Sequence, residues 1–189
     1  MRMLIMGPPG AGKGTQGVEI AQHYGVPAIS TGAIFRSNVE RQTELGLVVS
    51  QLMAKGELVP DEVTVQIVAE RLAEPDTAPG FLLDGFPRTV PQAEALDQLL
   101  SQAGRPLQAA LSLLVETETL VARMLKRAEI EHRADDNEAS IRRRFEVYQA
   151  ETAPLLDRYR SQGLLVEVDG VGSVDEVTAR CAAALDAKL

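Results

Sequence analysis

Cysteine is almost absent from this chain, which has Cys181 alone among its 189 residues. A single thiol forms no internal disulfide, and no second cysteine or nearby histidine stands at metal-ligand spacing, so we expect a reducing compartment. The apolar helical pattern around Cys181 favours a small buried core residue over a reactive one. Disulfide-stapled scaffolds and cysteine-zinc scaffolds are therefore excluded.

Long apolar runs are missing as well. No stretch approaches the roughly 18 apolar residues of a membrane-spanning helix. The chain passes almost directly from Met1 into its first apolar segment, which leaves no room for a cleavable targeting signal. We expect a cytoplasmic protein with no membrane partner, folded as one domain.

Positive charge is in deficit, since 19 Lys and Arg stand against 27 Asp and Glu, for a net charge of −8. This balance argues against a general nucleic-acid or anionic-membrane surface. An anionic small ligand would have to be captured by cations concentrated in one place. The candidates are Arg36, Arg88 and the arginine-rich stretch over 123–144.

General bases are scarce too. His23 and His132 are the only histidines, and no Ser-His-Asp or Cys-His arrangement is recognisable. Phosphoryl transfer to a phosphate acceptor needs no strong base, because the acceptor oxygen is already ionised near neutral pH. Many arginines without an obvious base fit that reaction.

What the chain does contain is a glycine-rich loop directly behind a strand-like apolar segment. Residues 7–15 read Gly-Pro-Pro-Gly-Ala-Gly-Lys-Gly-Thr. Glycines let backbone N–H groups curl around phosphate oxygens, Lys13 adds a charge, and the following helix presents its positive end. The usual pattern G-x-x-x-x-G-K-[ST] is missed by one position, because Gly14 takes the hydroxyl position and Thr15 follows. The loop predicts a polyphosphate ligand.

The rest of the sequence alternates short apolar segments with helical patterns, which predicts an α/β three-layer domain with a parallel sheet. Five strands are predicted, over residues 3–6, 27–30, 81–84, 109–115 and 164–169. A first helix is predicted over 13–24, ended by Gly25, and a capping box of Ser173 and Glu176 should open the last helix. Pro154 should divide another helix just before itself.

Two segments interrupt this alternation. Residues 30–59 are helical in pattern and longer than a minimal crossover requires, which predicts an arm over the substrate with Gly32, Gly46 and Gly56 as candidate hinges. Residues 127–136 are polar and lie between two arginine-bearing helices, which predicts a short lid.

Ligands of open parallel sheets bind beyond the carboxyl ends of the strands, where the following loops converge. The loops after the predicted strands are polar, cationic or glycine-rich, and comprise residues 7–15, 30–32, 84–88 and 169–172. Asp84 can organise the water shell of a nucleotide-bound Mg²⁺. Arg88 can hold phosphate with its planar fork. The agreement of these loops favours a catalytic cleft.

These motifs resemble those of the adenylate kinases of the short-lid type, from the phosphate loop to the C-terminal helix. The resemblance rests on residues 7–15, on Ser30-Thr31-Gly32 with Arg36, on residues 82–89 with Gln92, and on residues 133–138 with Arg144. The Asp-Gly-Phe-Pro-Arg segment is highly specific to nucleoside monophosphate kinases, and Gly14 followed by Thr15 is the family's own form.

The resemblance implies a P-loop nucleoside triphosphate hydrolase-type fold with a five-stranded parallel sheet. It divides the chain into a core, an AMP-binding arm and a short lid, over residues 1–29, 60–126 and 137–189, about 30–59, and about 127–136. The implied reaction is reversible, Mg²⁺-dependent transfer of the terminal phosphoryl group of ATP to AMP, giving two ADP by direct in-line displacement. A monomer without structural zinc is implied as well.

The same resemblance assigns the site residues. Those assigned to ATP are Gly10, Ala11, Gly12, Lys13, Gly14, Thr15, Arg127 and Gly172. Those assigned to AMP are Thr31, Arg36, Glu57, Leu58, Val59, Gly85, Phe86, Pro87, Arg88, Gln92, Arg133 and Arg144. The charges around the transferring group are assigned to Lys13, Arg88, Arg123, Arg133 and Arg144. Gln92 would hydrogen-bond the adenine edge, and Asp84 would hold Mg²⁺ through water.

One residue departs from the family pattern, because Ala33 stands where Asp commonly follows Ser-Thr-Gly. We therefore expect somewhat weaker Mg²⁺ organisation, with more reliance on Asp84. Three other functions stay open at this point. A UMP/CMP kinase is the nearest, although Gln92 favours adenine. A P-loop switch GTPase would need an Asn-Lys-x-Asp signal that is not found, and a catalytically silent nucleotide-binding module is suggested only by Ala33.

Overall fold

The structure, a computed structural model, describes residues 1–131 and 137–189, with side chains over 1–126 and 137–189. The described residues form five strands: β1 (Arg2–Met6), β2 (Ala28–Ser30), β3 (Phe81–Asp84), β4 (Ala109–Leu114) and β5 (Leu165–Asp169). They make one parallel sheet in the order β2-β3-β1-β4-β5. Residues 132–136 of the lid predicted over 127–136, Arg133 among them, lie outside the described residues, as does the side chain of Arg127.

Helices connect the strands on both sides of the sheet. In the described residues they are α1 (Lys13–His23), α2 (Thr31–Glu40), α3 (Glu44–Lys55), α4 (Asp61–Leu72), α5 (Val90–Gln102), α6 (Thr117–Glu131), α7 (Glu138–Val147), α8 (Pro154–Ser161) and α9 (Val174–Lys188). A 3₁₀ turn, Pro75–Thr77, follows α4, and a π-helical turn, Tyr148–Thr152, follows α7.

Alternate residues of the central strand pack on opposite faces of the sheet. Met3 and Ile5 belong to a core shared with α1 and α9, whereas Leu4 and Met6 belong to a core shared with α4, α5 and α8. All four side chains are at most 4% exposed. A parallel sheet covered by helices on both faces needs such continuously apolar strands. The predicted α/β three-layer architecture is confirmed.

The predicted strands are confirmed with ends that differ by one residue at most. Pro27 and Leu164, which the prediction included and the observed strands leave out, still accept backbone hydrogen bonds from Leu82 and Ala110 of the neighbouring strands. The capping box is present, because the Ser173 hydroxyl accepts from the Glu176 N–H and the Glu176 carboxylate accepts from the Ser173 N–H.

Two helix ends follow the sequence closely. Helix α1 stops at His23, and Gly25 lies two residues beyond it with φ 63°, in the left-handed region. Helix α8 begins at Pro154, where the break was predicted. The π-helical turn that precedes Ala153 and Pro154 was not predicted, because a single such turn is too short to set a recognisable period in the sequence.

The two helices of the arm cross closely and share a small core of their own. Phe35, Val49 and Val59 are buried together. A Cβ built on Gly46 would overlap the backbone carbonyl of Asn38, so only glycine allows this approach of α3 to α2. Close packing accounts for the glycine at this position, and its action as a hinge stays a prediction.

Cys181 is fully buried on α9, as expected. Burial raises the pKa of its thiol to about 11, so the reactive thiolate is scarce at neutral pH. Within the described part of the chain, no helix combines the length and the apolar character that crossing a membrane requires.

We expect Gly46→Ala to destabilise the fold by about 1–3 kcal/mol, the usual range for an added methyl group that a packed core cannot accommodate. Urea unfolding measures the change in the free energy of unfolding. Val48→Ala is the control, since Val48 lies on the same helix with 65% of its surface exposed, and its effect should stay within about 0.5 kcal/mol. Equal stability of Gly46→Ala and the parent protein would contradict the packing role.

Candidate active site

The glycine-rich loop joins the carboxyl end of β1 to the start of α1. Gly12 caps the helix with φ 94°, a left-handed conformation that favours glycine. The Lys13 ammonium donates to the carbonyls of Gly7 at 2.8 Å and Pro8 at 2.9 Å. The loop thus curls around its own lysine, beside the positive end of a helix, which is the arrangement that binds phosphate.

A carboxylate stands next to this loop. Asp84 ends β3, and its Oδ2 accepts a hydrogen bond of 3.2 Å from the Ser30 hydroxyl. A Cβ on Gly14 would lie 3.8 Å from the same oxygen, so the carboxylate reaches the first turn of α1. The Ser30 hydroxyl also accepts from the Ala33 N–H at 3.4 Å. Position 33 therefore lies one turn from the hydroxyl that contacts Asp84.

A cleft opens between the arm and the sheet, which we call the arm cleft. Its lining includes nine of the residues predicted to hold AMP: Thr31, Arg36, Glu57, Leu58, Val59, Gly85, Arg88, Gln92 and Arg144. The Thr31 hydroxyl of the arm donates to the Gly85 carbonyl of the loop after β3 at 3.0 Å. Within that loop, the Arg88 Nε donates to the same carbonyl at 2.9 Å. The structure thus brings these predicted residues together.

A second cleft, the loop cleft, adjoins the first on the side of the glycine-rich loop. Lys13 lines it together with Phe86 and Pro87, the remaining predicted AMP residues with described side chains. Arg88 and Arg144 line both clefts. The two arginines therefore lie between the glycine-rich loop and the arm.

The residues predicted to bind ATP lie on different sides of the glycine-rich loop. Ala11, Gly12, Thr15, Arg123 and Gly172 line a groove on the side of α9. Arg123 donates to the Gly170 carbonyl at 3.1 Å, which directs its guanidinium toward the loop after β5. Gly10 packs against α6 instead, because a Cβ there would lie 2.8 Å from the Leu120 carbonyl oxygen.

Several residues of the clefts were not predicted. Phe35, Met53, Thr64, Tyr148 and Thr152 line them. Phe35 and Met53 could have been found from the apolar pattern of α2 and α3, since both side chains pack in the core of the arm. No sequence pattern marked Thr152, although its hydroxyl donates to the Arg88 carbonyl at 2.9 Å and so supports a predicted site residue.

The Gln92 side chain has two partners, and one of them was also missed. Its Oε1 accepts from the Arg88 N–H at 2.8 Å, and its Nε2 donates to Asp61 Oδ1 at 2.7 Å. Gln92 is 2% exposed. Asp61 is the first residue of α4, a position where a carboxylate is expected for helix stability alone.

Helix α7, which carries Arg144, contacts the far end of the arm. The Ser140 hydroxyl donates to the Ala54 carbonyl at 2.6 Å. Arg143 forms an ion pair with Glu57 at 2.9 Å, and this carboxylate raises the pKa of the guanidinium. Both partners of the pair are partly exposed, so solvent screening leaves the pair a small contribution to stability.

Comparisons with known proteins agree with this geometry. Residues 5–164 match the family model described as adenylate kinase. Proteins named adenylate kinase align along nearly the whole chain. One from a Nocardioides species is 54% identical over 98% of this chain and 97% of its own length. Those from Leifsonia xyli and Thermobifida fusca are 54% and 49% identical, over 97% and 100% of this chain and 92% and 100% of their own lengths.

None of these three relatives favours a UMP/CMP kinase, since each carries the adenylate kinase name. The five-stranded parallel sheet is the one that the sequence predicted. With a family match over most of its length and relatives about half identical from end to end, the chain belongs to the adenylate kinase family.

Proposed function

We propose that this chain transfers the terminal phosphoryl group of ATP to AMP, with AMP in the arm cleft and the ATP phosphates on the 7–15 loop. The observation that carries the assignment is that Arg88 and Arg144 line both adjoining clefts. Arginines at that position supply positive charge where the phosphates of two nucleotides would meet. A switch that binds one nucleotide has no use for the second cleft.

The transfer forms a bond between an AMP phosphate oxygen and the γ-phosphorus of ATP. It breaks the bond from that phosphorus to the β–γ bridging oxygen, whose electrons leave with ADP. Because the attacking oxygen is already ionised, positioning and charge neutralisation do the catalytic work. The cations proposed for this are Lys13, Arg88, Arg123 and Arg144, together with Arg133 from outside the described residues.

Mg²⁺ fits the oxygen donors beside the loop. The carboxylate of Asp84 and the hydroxyl of Ser30 are in contact there, and both are hard ligands of the kind that Mg²⁺ and its water shell prefer. Bound with ATP, Mg²⁺ would neutralise phosphate charge. We propose that Asp84 holds it through water and that Ser30 orients the carboxylate. A structural zinc ion is not part of the proposal.

We also propose that the arm and the 127–136 lid close over the nucleotides and exclude water. Contact between Ser140 and the end of α3 supports a coupled movement of the arm and α7. A monomer in the cytoplasm is proposed as well, on the family resemblance and on the lone buried thiol of Cys181.

A coupled assay with AMP, CMP, UMP and GMP as acceptors tests the reaction itself. We expect AMP to be used at least about a hundredfold better in kcat/KM than the uracil and guanine nucleotides, since a site built for hydrogen bonds rejects a mismatched base. Omission of Mg²⁺ should abolish turnover. Better use of UMP or CMP than of AMP would favour the UMP/CMP kinase reading.

Arg88→Ala should lower kcat by about a hundredfold or more, because it removes a charge from beside the transferring group. Steady-state kinetics and thermal unfolding separate this effect from loss of folded protein. Arg142→Ala is the control, since Arg142 is 74% exposed in its side chain on α7 and lines neither cleft. Near-normal turnover of Arg88→Ala would remove Arg88 from this role.

Ala33→Asp should lower the Mg²⁺ concentration that gives half-maximal turnover, because it adds a carboxylate one turn from the hydroxyl that contacts Asp84. Initial rates over a Mg²⁺ titration at fixed ATP measure the shift. Ala183→Asp adds the same charge at an exposed position on α9 and should leave the titration unchanged. An identical titration for Ala33→Asp would contradict the expected role of position 33.

A further inference from the structure

The Gln92 side-chain amide is held by two contacts of opposite polarity. At one end stands the Arg88 backbone N–H, which can only donate, and at the other the Asp61 carboxylate, which when ionised can only accept. The amide oxygen must therefore face Arg88 and the amide nitrogen must face Asp61. No other orientation of the amide satisfies both partners.

Asp61 is itself fixed in place. Its Oδ2 accepts from the Thr89 hydroxyl at 3.0 Å, and that hydroxyl accepts from the Gln92 N–H at 3.3 Å. The carboxylate also lies in the first turn of α4, beside the backbone N–H groups that begin the helix. The start of α4, the start of α5 and the loop after β3 thus share one hydrogen-bond network.

Each end of the amide keeps one hydrogen-bonding position for a ligand, namely the second N–H and the second lone pair of the oxygen. Gln92 lines the arm cleft with Thr31 and Val59, and we take these two positions to face a bound base. A donor beside an acceptor complements a base edge that offers N1 as acceptor and a 6-amino group as donor. Adenine has that edge.

A 6-oxopurine has the reversed edge, with N1–H as donor and O6 as acceptor. Gln92 could match it only by turning its amide through a half rotation. That rotation would set the amide oxygen against the Asp61 carboxylate and the amide NH₂ against the Arg88 N–H. Both existing hydrogen bonds would be lost, and each would be replaced by a repulsive contact between two acceptors or between two donors.

We infer that Asp61 is a specificity-determining positioning residue, which fixes the amide of Gln92 in the orientation that accepts 6-aminopurine nucleotides and rejects 6-oxopurine nucleotides. The inference rests on the proposed function, since it takes the base of the acceptor nucleotide to lie against Gln92. It goes further in assigning base choice to a residue outside the lining of the arm cleft.

The test compares AMP with inosine monophosphate, which has almost the same shape and the reversed edge. In Asp61→Asn the side chain can present either an oxygen or an NH₂ group, so one of the two contacts that oppose rotation of the Gln92 amide is removed and only the Arg88 N–H still opposes it. We expect the AMP to inosine monophosphate ratio of kcat/KM to fall at least about tenfold, the usual weight of one hydrogen bond. The KM for ATP should not change.

General structural damage would lower the kcat/KM for both acceptors by the same factor and leave their ratio unchanged, which would overturn the inference. Asp76→Asn is the matched control, because Asp76 is an exposed carboxylate paired with Arg71 away from the clefts. Its acceptor ratio should equal that of the parent protein. Asp61→Ser provides a second variant if Asp61→Asn does not fold, since a hydroxyl also donates or accepts.

Gln92→Leu separates the inference from the proposed function. Leucine offers neither donor nor acceptor, so the preference for AMP over inosine monophosphate should collapse if the base lies against residue 92. A preference that survives in Gln92→Leu would overturn the proposed placement of AMP and the inference with it. A preference that collapses in Gln92→Leu but survives in both Asp61 variants would overturn the inference alone.

Discussion

The parallel pairing of β1 with β3 is the constraint on which the active site depends. Its register sets Leu4 beside Leu83 and Ile5 beside Asp84. A shift of one residue would exchange the two faces of the strand and turn the carboxylate toward a core, so burial of the apolar neighbours fixes the register. The glycine-rich loop and the loop that carries Arg88 therefore leave the same edge of the sheet side by side, before any nucleotide binds.

An acidic chain can bind two phosphate-bearing nucleotides because its folding gathers cations from distant segments. Arg88 comes from the loop after β3, whereas Arg144 comes from α7, whose position depends on the arm. A Cβ on Gly56, at the end of α3, would lie 2.7 Å from the Ser140 carbonyl oxygen. This close backbone approach and the Ser140 hydrogen bond fix the position of α7 against α3. The ion pair between Arg143 and Glu57 is partly exposed and adds little to that contact. The arm and Arg144 are thus positioned together.

The sequence was sufficient to predict an element or a loop wherever the pattern lies within one continuous segment. Apolar runs specified the strands, and a glycine-rich run behind a strand specified the phosphate loop. Contacts between elements were not readable in the same way. Asp61 has an adequate local explanation as the first residue of a helix, and Thr152 lies in a single π-helical turn that no sequence pattern marked. Their contacts with Gln92 and Arg88 exist only once α4, α5 and the turn are packed.

The two ends of the site differ in how far folding prepares them. Gln92 is buried, and a buried amide must be paired, so the hydrogen bonds that stabilise the fold also orient the edge that a base would meet. Little orientational freedom of that amide is left for AMP to remove. Lys13, by contrast, donates to the carbonyls of its own loop, so its contacts with an ATP phosphate would be formed beside those bonds or in exchange for them. On the proposed function, base recognition is therefore prepared during folding, whereas the phosphate contacts of Lys13 would form only with the donor nucleotide.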